Sequence, residues 1–129
     1  MNSGRDLWLS LCVPTYNRAA LLENLYKSII SQDPSNIELI IVNDGSRDRT
    51  ETLVQDWIAE SKVRIQYYYQ NNAGRGSALR KALLNAEGEY TIIMDDDDYF
   101  VNGALETIKQ SLLRIKNQSV SQASLAGIC

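Results

Sequence analysis

Four consecutive aspartates, Asp95 to Asp98, follow an apolar run in the segment YTIIMDDDDYF. Carboxylates this close repel one another unless a cation compensates their charge. In an extended chain Asp95 and Asp97 project to one side, and Asp96 and Asp98 project to the other. One pair can hold a divalent cation while the other accepts hydrogen bonds from sugar hydroxyls. The structural alternative is an acidic loop that caps the following helix.

The composition excludes several kinds of catalytic site. The chain has 129 residues and no histidine, which excludes Ser-His-Asp and Cys-His machinery and His-rich zinc sites. Its two cysteines, Cys12 and Cys129, cannot form an all-thiolate zinc site and indicate no disulfide scaffold. Any metal must be held by oxygen atoms, which favours Mg²⁺ or Mn²⁺. The formal net charge of −3 argues against binding to nucleic acid.

Strand-like and helical patterns alternate along the chain. Strands are predicted over residues 7–13, closed by Pro14, and over residues 37–43, 63–69 and 90–94, each followed by an amphipathic helix. This alternation indicates a Rossmann-like three-layer α/β/α fold with a mostly parallel sheet. The length suits a single domain. The polar segment 117–129 is expected to form a frayed tail.

Open sheets of this kind bind ligands beyond the carboxyl ends of their strands. The segments at that rim are PTYNR, NDGS, NNAGRG and DDDDYF. Tyr16 offers a flat face for a nucleobase, and Asp44 can accept a hydrogen bond from a base N–H. Arg75 lies between two glycines before a helix, where phosphate binding is favoured. The structural alternatives are a tyrosine packed over the rim, an ordinary turn and a solvated arginine.

Three longer segments carry a resemblance: LSLCVPTYNRAALLENLYKSIISQ, IELIIVNDGSRDRT and NNAGRGSALRKALLNAEGEYTIIMDDDDYF. In order and spacing they resemble the nucleotide-binding half of family 2 glycosyltransferases, which have the GT-A fold. The resemblance implies metal-dependent transfer of a sugar, with inversion, from a nucleoside diphosphate donor, expected to be a UDP-sugar. A saccharide or lipid-linked acceptor is implied, as in polysaccharide or cell-envelope biosynthesis. The expected location is the cytoplasm or the inner face of the cell membrane.

The resemblance also implies roles for individual residues. It places the base beside Pro14, Tyr16 and Asp44, with the diphosphate near Arg75. The aspartates occupy the Asp-x-Asp position of the family, where Asp96 is expected to contact ribose. The implied nucleotide-sugar site is Pro14, Tyr16, Asp44, Arg75, Asp95 and Asp96, and the implied metal ligands are Asp97 and Asp95, for Mg²⁺ or Mn²⁺. No catalytic residue is assignable.

Family domains are longer than this chain, so residues 1–129 are expected to be an incomplete donor-binding domain that lacks the acceptor half. Family topology places the fourth strand beside the first. This predicts an exposed apolar edge at residues 90–94, through which the chain is expected to self-associate. One alternative is a nucleotide-binding module without transferase activity. Another is a nucleotidyltransferase, although LCVPTYNR lacks the basic activating motif that this chemistry would need.

Overall fold

The computed structural model describes the backbone of residues 6–125 and the side chains of residues 6–118. Strands and helices alternate as predicted: β1 (Leu9–Thr15), α1 (Ala19–Ile30), β2 (Ile37–Asn43), α2 (Thr50–Glu60), β3 (Arg64–Tyr69), α3 (Arg75–Leu84), β4 (Tyr90–Ile93) and α4 (Ala104–Leu125). Residues 117–125 are helical where the sequence suggests a frayed tail, and residues 126–129 lie outside the described part. Among the described helices, none has the length and apolarity to cross a membrane.

The four strands form one parallel sheet in the order β3-β2-β1-β4, which confirms the predicted fold class. The chain moves outward from β1 to β3, and α3 then returns it to the other side of β1. Strand order therefore reverses between β1 and β4, and sheets of this type bind ligands at such a point. In the described sheet β4 pairs with β1 alone. Its outer edge is therefore open, as the proposed self-association requires.

Pro14 does not end β1, contrary to the sequence expectation. It pairs with Val42 inside the ladder, and the strand continues to Thr15. The Cys12 carbonyl accepts from Met94 on the β4 side, and the Thr15 carbonyl accepts from Asp44 on the β2 side. The backbone groups of successive residues in a strand point alternately to its two neighbours. The Pro14 nitrogen therefore faces β4, which ends before this point. A missing N–H costs no ladder hydrogen bond at that position.

Helices cover both faces of the sheet. The larger core lies under α1, α2 and α4 and includes Leu25, Trp57 and Leu105. On the opposite face, α3 packs Ala78 and Ala82 against apolar residues of β1 and β2. These small side chains let α3 approach the sheet closely. The first residues of α3 lie near the carboxyl rim because the helix follows the end of β3. Burial on both faces explains why β1 and β2 are continuous apolar runs.

A buried carboxylate organises the amino end of the sheet. Glu38 of β2 has 0% exposure. It accepts hydrogen bonds from Ser10 Oγ at 2.6 Å, Gln66 Nε2 at 2.8 Å and the Glu87 N–H at 2.7 Å. A Cβ on Gly88 would lie 2.7 Å from the Ser10 nitrogen, so this close approach requires glycine. The network fastens the α3–β4 connection to β1 and β2 and so holds β4 in register.

Candidate functional site

A cavity of about 480 Å³ lies where the strand order reverses, between the ends of β1 and β4. It brings together every residue that the sequence assigned to a site: Pro14, Tyr16, Asp44, Arg75, Asp95, Asp96 and Asp97. Thr15, Arg18, Asn72 and Gly74 also line it and were missed. The segments that contain them, PTYNR and NNAGRG, were placed at the rim from the sequence. No pattern in the sequence singled out these positions within them.

The loop after β1 is fixed by the loop after β2. Asn17 has φ of 52°, a left-handed conformation that is uncommon outside glycine. Its N–H donates to Ser46 Oγ at 2.9 Å, and its side-chain oxygen accepts from the Arg47 N–H at 2.7 Å. Asp48 accepts the Ala19 N–H at 3.0 Å, at the start of α1. These contacts hold the wall of the cavity that carries Tyr16 and Arg18.

Asp44 is 4% exposed, and both of its oxygens have partners in the β3–α3 loop. Oδ1 accepts from Gln70 Nε2 and from the Ala73 N–H, both at 2.8 Å. Oδ2 accepts from the Gly74 N–H at 2.9 Å and from Asn72 Nδ2 at 3.3 Å. Burial alone would raise the pKa of Asp44, but hydrogen bonds from Gln70, Ala73 and Gly74 outweigh it and lower the pKa. The carboxylate is therefore ionised at neutral pH.

Asp96 differs from the other members of the aspartate run because it is buried. Its Oδ2 accepts from Thr15 Oγ1 at 2.8 Å, and its Oδ1 lies 3.2 Å from the Arg18 guanidinium. Arg18 also lies 3.3 Å from Asp97. Asp96 thus joins the end of β4 to the loop after β1. Its predicted ribose contact would have to share oxygens that already have protein partners.

The other three aspartates are exposed, and each offers a carboxylate oxygen within 4.8 Å of the others. The alternation expected of an extended segment is wrong here. The Asp98 N–H donates to the Asp95 carbonyl at 3.1 Å, which closes a turn. This turn gathers Asp98 with Asp95 and Asp97 and leaves Asp96 apart. Clustered carboxylate oxygens are suitable ligands for a hard divalent cation.

Two arginines face the aspartates. Arg75, the first residue of α3, lies 2.6 Å from Asp95, and Arg18 bridges Asp96 and Asp97. Both arginine side chains are more than half exposed. Two positive charges against four negative ones leave this corner of the cavity acidic. It can attract a cation, while the arginines remain available to an anionic group.

Known proteins are similar to this chain in sequence and in fold. Residues 10–126 match the family described as Glycosyl transferase family 2. The chain belongs to glycosyltransferase family 2. A GalNAc(5)-diNAcBac-PP-undecaprenol beta-1,3-glucosyltransferase of Campylobacter jejuni is 40% identical over 104 residues, which are 79% of this chain and 33% of that protein.

Two solved structures show the same architecture, which is the GT-A fold. Staphylococcus aureus TarS in complex with UDP has a TM-score of 0.75 at 30% identity, over 86% of this chain and 32% of the TarS chain. The mannosyltransferase PcManGT of Pyrobaculum calidifontis, solved with GDP-Man and Mn²⁺, has a TM-score of 0.66 at 30% identity, over 71% of this chain and 28% of its own. This family 2 chain therefore spans roughly a third of the length of these relatives.

Proposed function

We propose that this family 2 chain forms the donor-binding half of a glycosyltransferase. The enzyme transfers a sugar, with inversion, from a nucleoside diphosphate sugar to a saccharide or lipid-linked acceptor. A UDP-sugar is the expected donor. One observation carries the proposal: a single cavity joins an aromatic face, a buried carboxylate, an arginine and an aspartate cluster. TarS with UDP and PcManGT with GDP-Man support this ligand class.

The shape of the cavity suggests how the donor lies. Tyr16, Asp44 and Asn72 supply a flat ring and polar atoms for the base, and the cavity volume of about 480 Å³ suits a small-molecule ligand. Arg75 and the aspartates lie toward β4, where the diphosphate would be placed. The guanidinium of Arg75 can donate several hydrogen bonds to phosphate oxygens. The base and the diphosphate then occupy opposite parts of one cavity.

The exposed aspartates fit a divalent cation, since their oxygens lie within 4.8 Å of one another. Asp97 and Asp95 would hold Mg²⁺ or Mn²⁺, with Asp98 as a third oxygen ligand. A bound ion would supply stabilisation of the negative charge that develops on the leaving diphosphate. The hydrogen bond from Thr15 Oγ1 to buried Asp96 holds the segment that presents these ligands. The Mn²⁺ in the PcManGT structure supports the same chemistry.

Inversion also needs a base that takes the proton of the acceptor hydroxyl. Among the cavity carboxylates, Asp44 and Asp96 are buried and hydrogen-bonded, and Asp95 and Asp97 are the proposed metal ligands. We therefore assign the base to none of the described residues. In the proposed enzyme it comes from the acceptor half.

A thermal-shift panel tests the proposal. At a concentration 100 times Kd, a UDP-sugar with Mn²⁺ should stabilise the fold by about 2.7 kcal/mol, which raises Tm by roughly 10 °C. Asp97→Ala should abolish the part of the shift that depends on Mn²⁺. Asp56→Ala, at an exposed position of α2, is the matched control and should keep it.

The panel also separates the competing functions. Larger shifts with nucleoside triphosphates would favour a nucleotidyltransferase. No shift with any nucleoside diphosphate sugar, or an equal shift in Asp97→Ala, would overturn the proposal. A third outcome is a metal-dependent shift in this chain together with no sugar transfer by a longer chain that includes the acceptor half. That outcome would favour a nucleotide-binding module without transferase activity.

A further inference from the structure

Asp44 has a structural role that is separate from contact with a base. We infer that Asp44 is the positioning residue of Arg75, because it anchors the loop that leads into α3. One side chain thereby couples the base end of the cavity to its diphosphate end. The ligand part of this inference rests on the proposed function. The anchoring part rests only on contacts within the chain.

The anchor acts on the backbone directly before Arg75. The two oxygens of Asp44 accept two successive N–H groups, those of Ala73 and Gly74, at 2.8 and 2.9 Å. Both peptide units are thus oriented by one buried carboxylate. Gly74 has φ of 101° and lies at the N-cap of α3, where its carbonyl accepts the Ala78 N–H at 3.1 Å. The carboxylate therefore sets the direction in which α3 begins.

Among the side chains that the structure describes, none caps α3 at its own N-terminus. Helix starts leave several N–H groups without an internal partner, and an external acceptor compensates for part of this. Asp44 acts on this start from the loop after β2, 30 residues away in sequence from Gly74. Since Arg75 is the first residue of α3, its position depends on this contact.

The end of β2 is also shaped to fit the loop. Gly45 has φ of 82°, and a Cβ there would lie 2.8 Å from the Asn72 nitrogen. Asn72 Nδ2 donates to the Asp44 carbonyl at 3.0 Å. Three features of the chain after β2 thus serve the contact with the β3–α3 loop. They are the Asp44 carbonyl, the Asp44 carboxylate and the missing side chain of Gly45. Such agreement indicates a built anchor rather than an incidental hydrogen bond.

The carboxylate has no spare capacity. An ionised carboxylate offers about four acceptor positions, and Asp44 has four donors. A base N–H must therefore replace one of them. The side-chain amides of Gln70 and Asn72 can leave without moving the backbone, whereas the N–H groups of Ala73 and Gly74 cannot. Gln70 and Asn72 are thus the competitors of the base, and the two backbone contacts persist.

Amide hydrogen exchange without nucleotide tests the anchor. Residues 71–74 are exposed, so unanchored N–H groups there should exchange at nearly the intrinsic rate. In the wild-type chain the Ala73 and Gly74 amides should be protected at least about tenfold. Asp44→Asn keeps only one acceptor oxygen, so it should remove the protection of at least one of the two amides and leave β1 amides unchanged, and Asp56→Asn should have no effect. Intrinsic exchange of both amides in the wild type would overturn the anchor, even if Asp44→Asn does not fold.

Binding of uridine and UDP tests the coupling to Arg75. If Asp44 positions Arg75, Asp44→Asn should weaken UDP more than uridine, as Arg75→Gln does, and the double variant should be less than additive. Equal weakening of both ligands would show that Asp44 acts on the base alone. Gln70→Ala should tighten uridine binding by about twofold to tenfold. If neither ligand binds the wild type, the proposed donor class fails, while the exchange result still decides the anchor.

Discussion

Two buried carboxylates belong to β2 and its carboxyl end, and they show how one chemical device serves two purposes. Glu38 lies at the amino end of the sheet and Asp44 lies just past the other end. Each accepts hydrogen bonds from a connection that leads into or out of α3. Glu38 is enclosed between the sheet and that connection, whereas Asp44 borders the cavity. A buried carboxylate closes the fold at one end of the sheet and shapes the candidate site at the other.

The two ends differ most in their balance of charge and exposure. Glu38 has 0% exposure, and its donors come from β1, β3 and the α3–β4 connection. Its charge is matched by Arg64, whose Nε lies 3.5 Å from Oε1. At the carboxyl rim, Asp95, Asp97 and Asp98 remain exposed and close together. Three carboxylates this close repel one another unless a cation compensates their charge. The surplus of acidic groups is therefore the property that separates the site from the scaffold.

The largest effect is expected from Glu38→Leu. The substitution leaves Ser10 Oγ, Gln66 Nε2 and the Glu87 N–H without their buried acceptor, which should lower the free energy of unfolding by about 3–5 kcal/mol. Urea denaturation measures this loss. Glu106→Leu, at an exposed position of α4, should change stability by no more than about 0.5 kcal/mol.

The comparison also requires that Glu38 act on stability alone. The folded fraction of Glu38→Leu should bind UDP and Mn²⁺ as the wild type does. A loss below about 1 kcal/mol would show that the closed network contributes little. Loss of binding in a variant that remains folded would show that the two ends of the sheet are not separate.

A smaller effect is expected from Arg18→Gln. Arg18 lies 3.2 Å from Asp96 and 3.3 Å from Asp97, so its charge competes with a metal for this corner. Removing the charge should tighten Mn²⁺ binding by about threefold to tenfold. Quenching of the free Mn²⁺ paramagnetic resonance signal measures this affinity. Arg114→Gln on α4 is the control and should change nothing. Weaker Mn²⁺ binding would mean that Arg18 chiefly holds the aspartates in place.

The smallest effect concerns pH. Hydrogen bonds lower the pKa of Asp44 in the folded chain below its ordinary value of 3.8. A lowered pKa stabilises the fold above the unfolded-state pKa, and this contribution is lost as pH falls through the folded pKa. The stability difference between the wild type and Asp44→Asn should thus be constant from pH 7 to about pH 5 and shrink below about pH 4. Urea denaturation of both proteins at four pH values measures this stability difference. A difference that stays constant down to pH 3 would contradict the expected pH dependence.

The sequence predicts the scaffold and the meeting of the candidate residues at one cavity, for identifiable reasons. A parallel sheet is predicted by the apolar runs of β1 and β2 and by the helical spacing of apolar residues between strands. Such a sheet places four segments at one rim. That is why seven predicted residues share a cavity. The contacts of Arg18 and Thr15 with Asp96 join residues 78 and 81 positions apart. No local pattern encodes such contacts.

The sequence-based predictions were wrong where a turn or a contact between distant residues overrides the pattern expected of a regular strand. The turn between Asp95 and Asp98 replaces the alternation that an extended strand would impose. Pro14 continues β1 because the neighbouring strand ends before it. The four donors of Asp44 come from a loop that is 26 to 30 residues away. Their convergence depends on β2 and β3 lying side by side.

Crystals grown with UDP-sugar and Mn²⁺ test directly whether the exposed aspartates hold a divalent cation against the donor diphosphate. The anomalous signal of manganese locates the ion without reference to the protein atoms. We expect one peak that contacts Asp97 and a diphosphate oxygen, with the base beside Tyr16. A nucleotide bound in this cavity with no manganese at Asp95, Asp97 or Asp98 would contradict it.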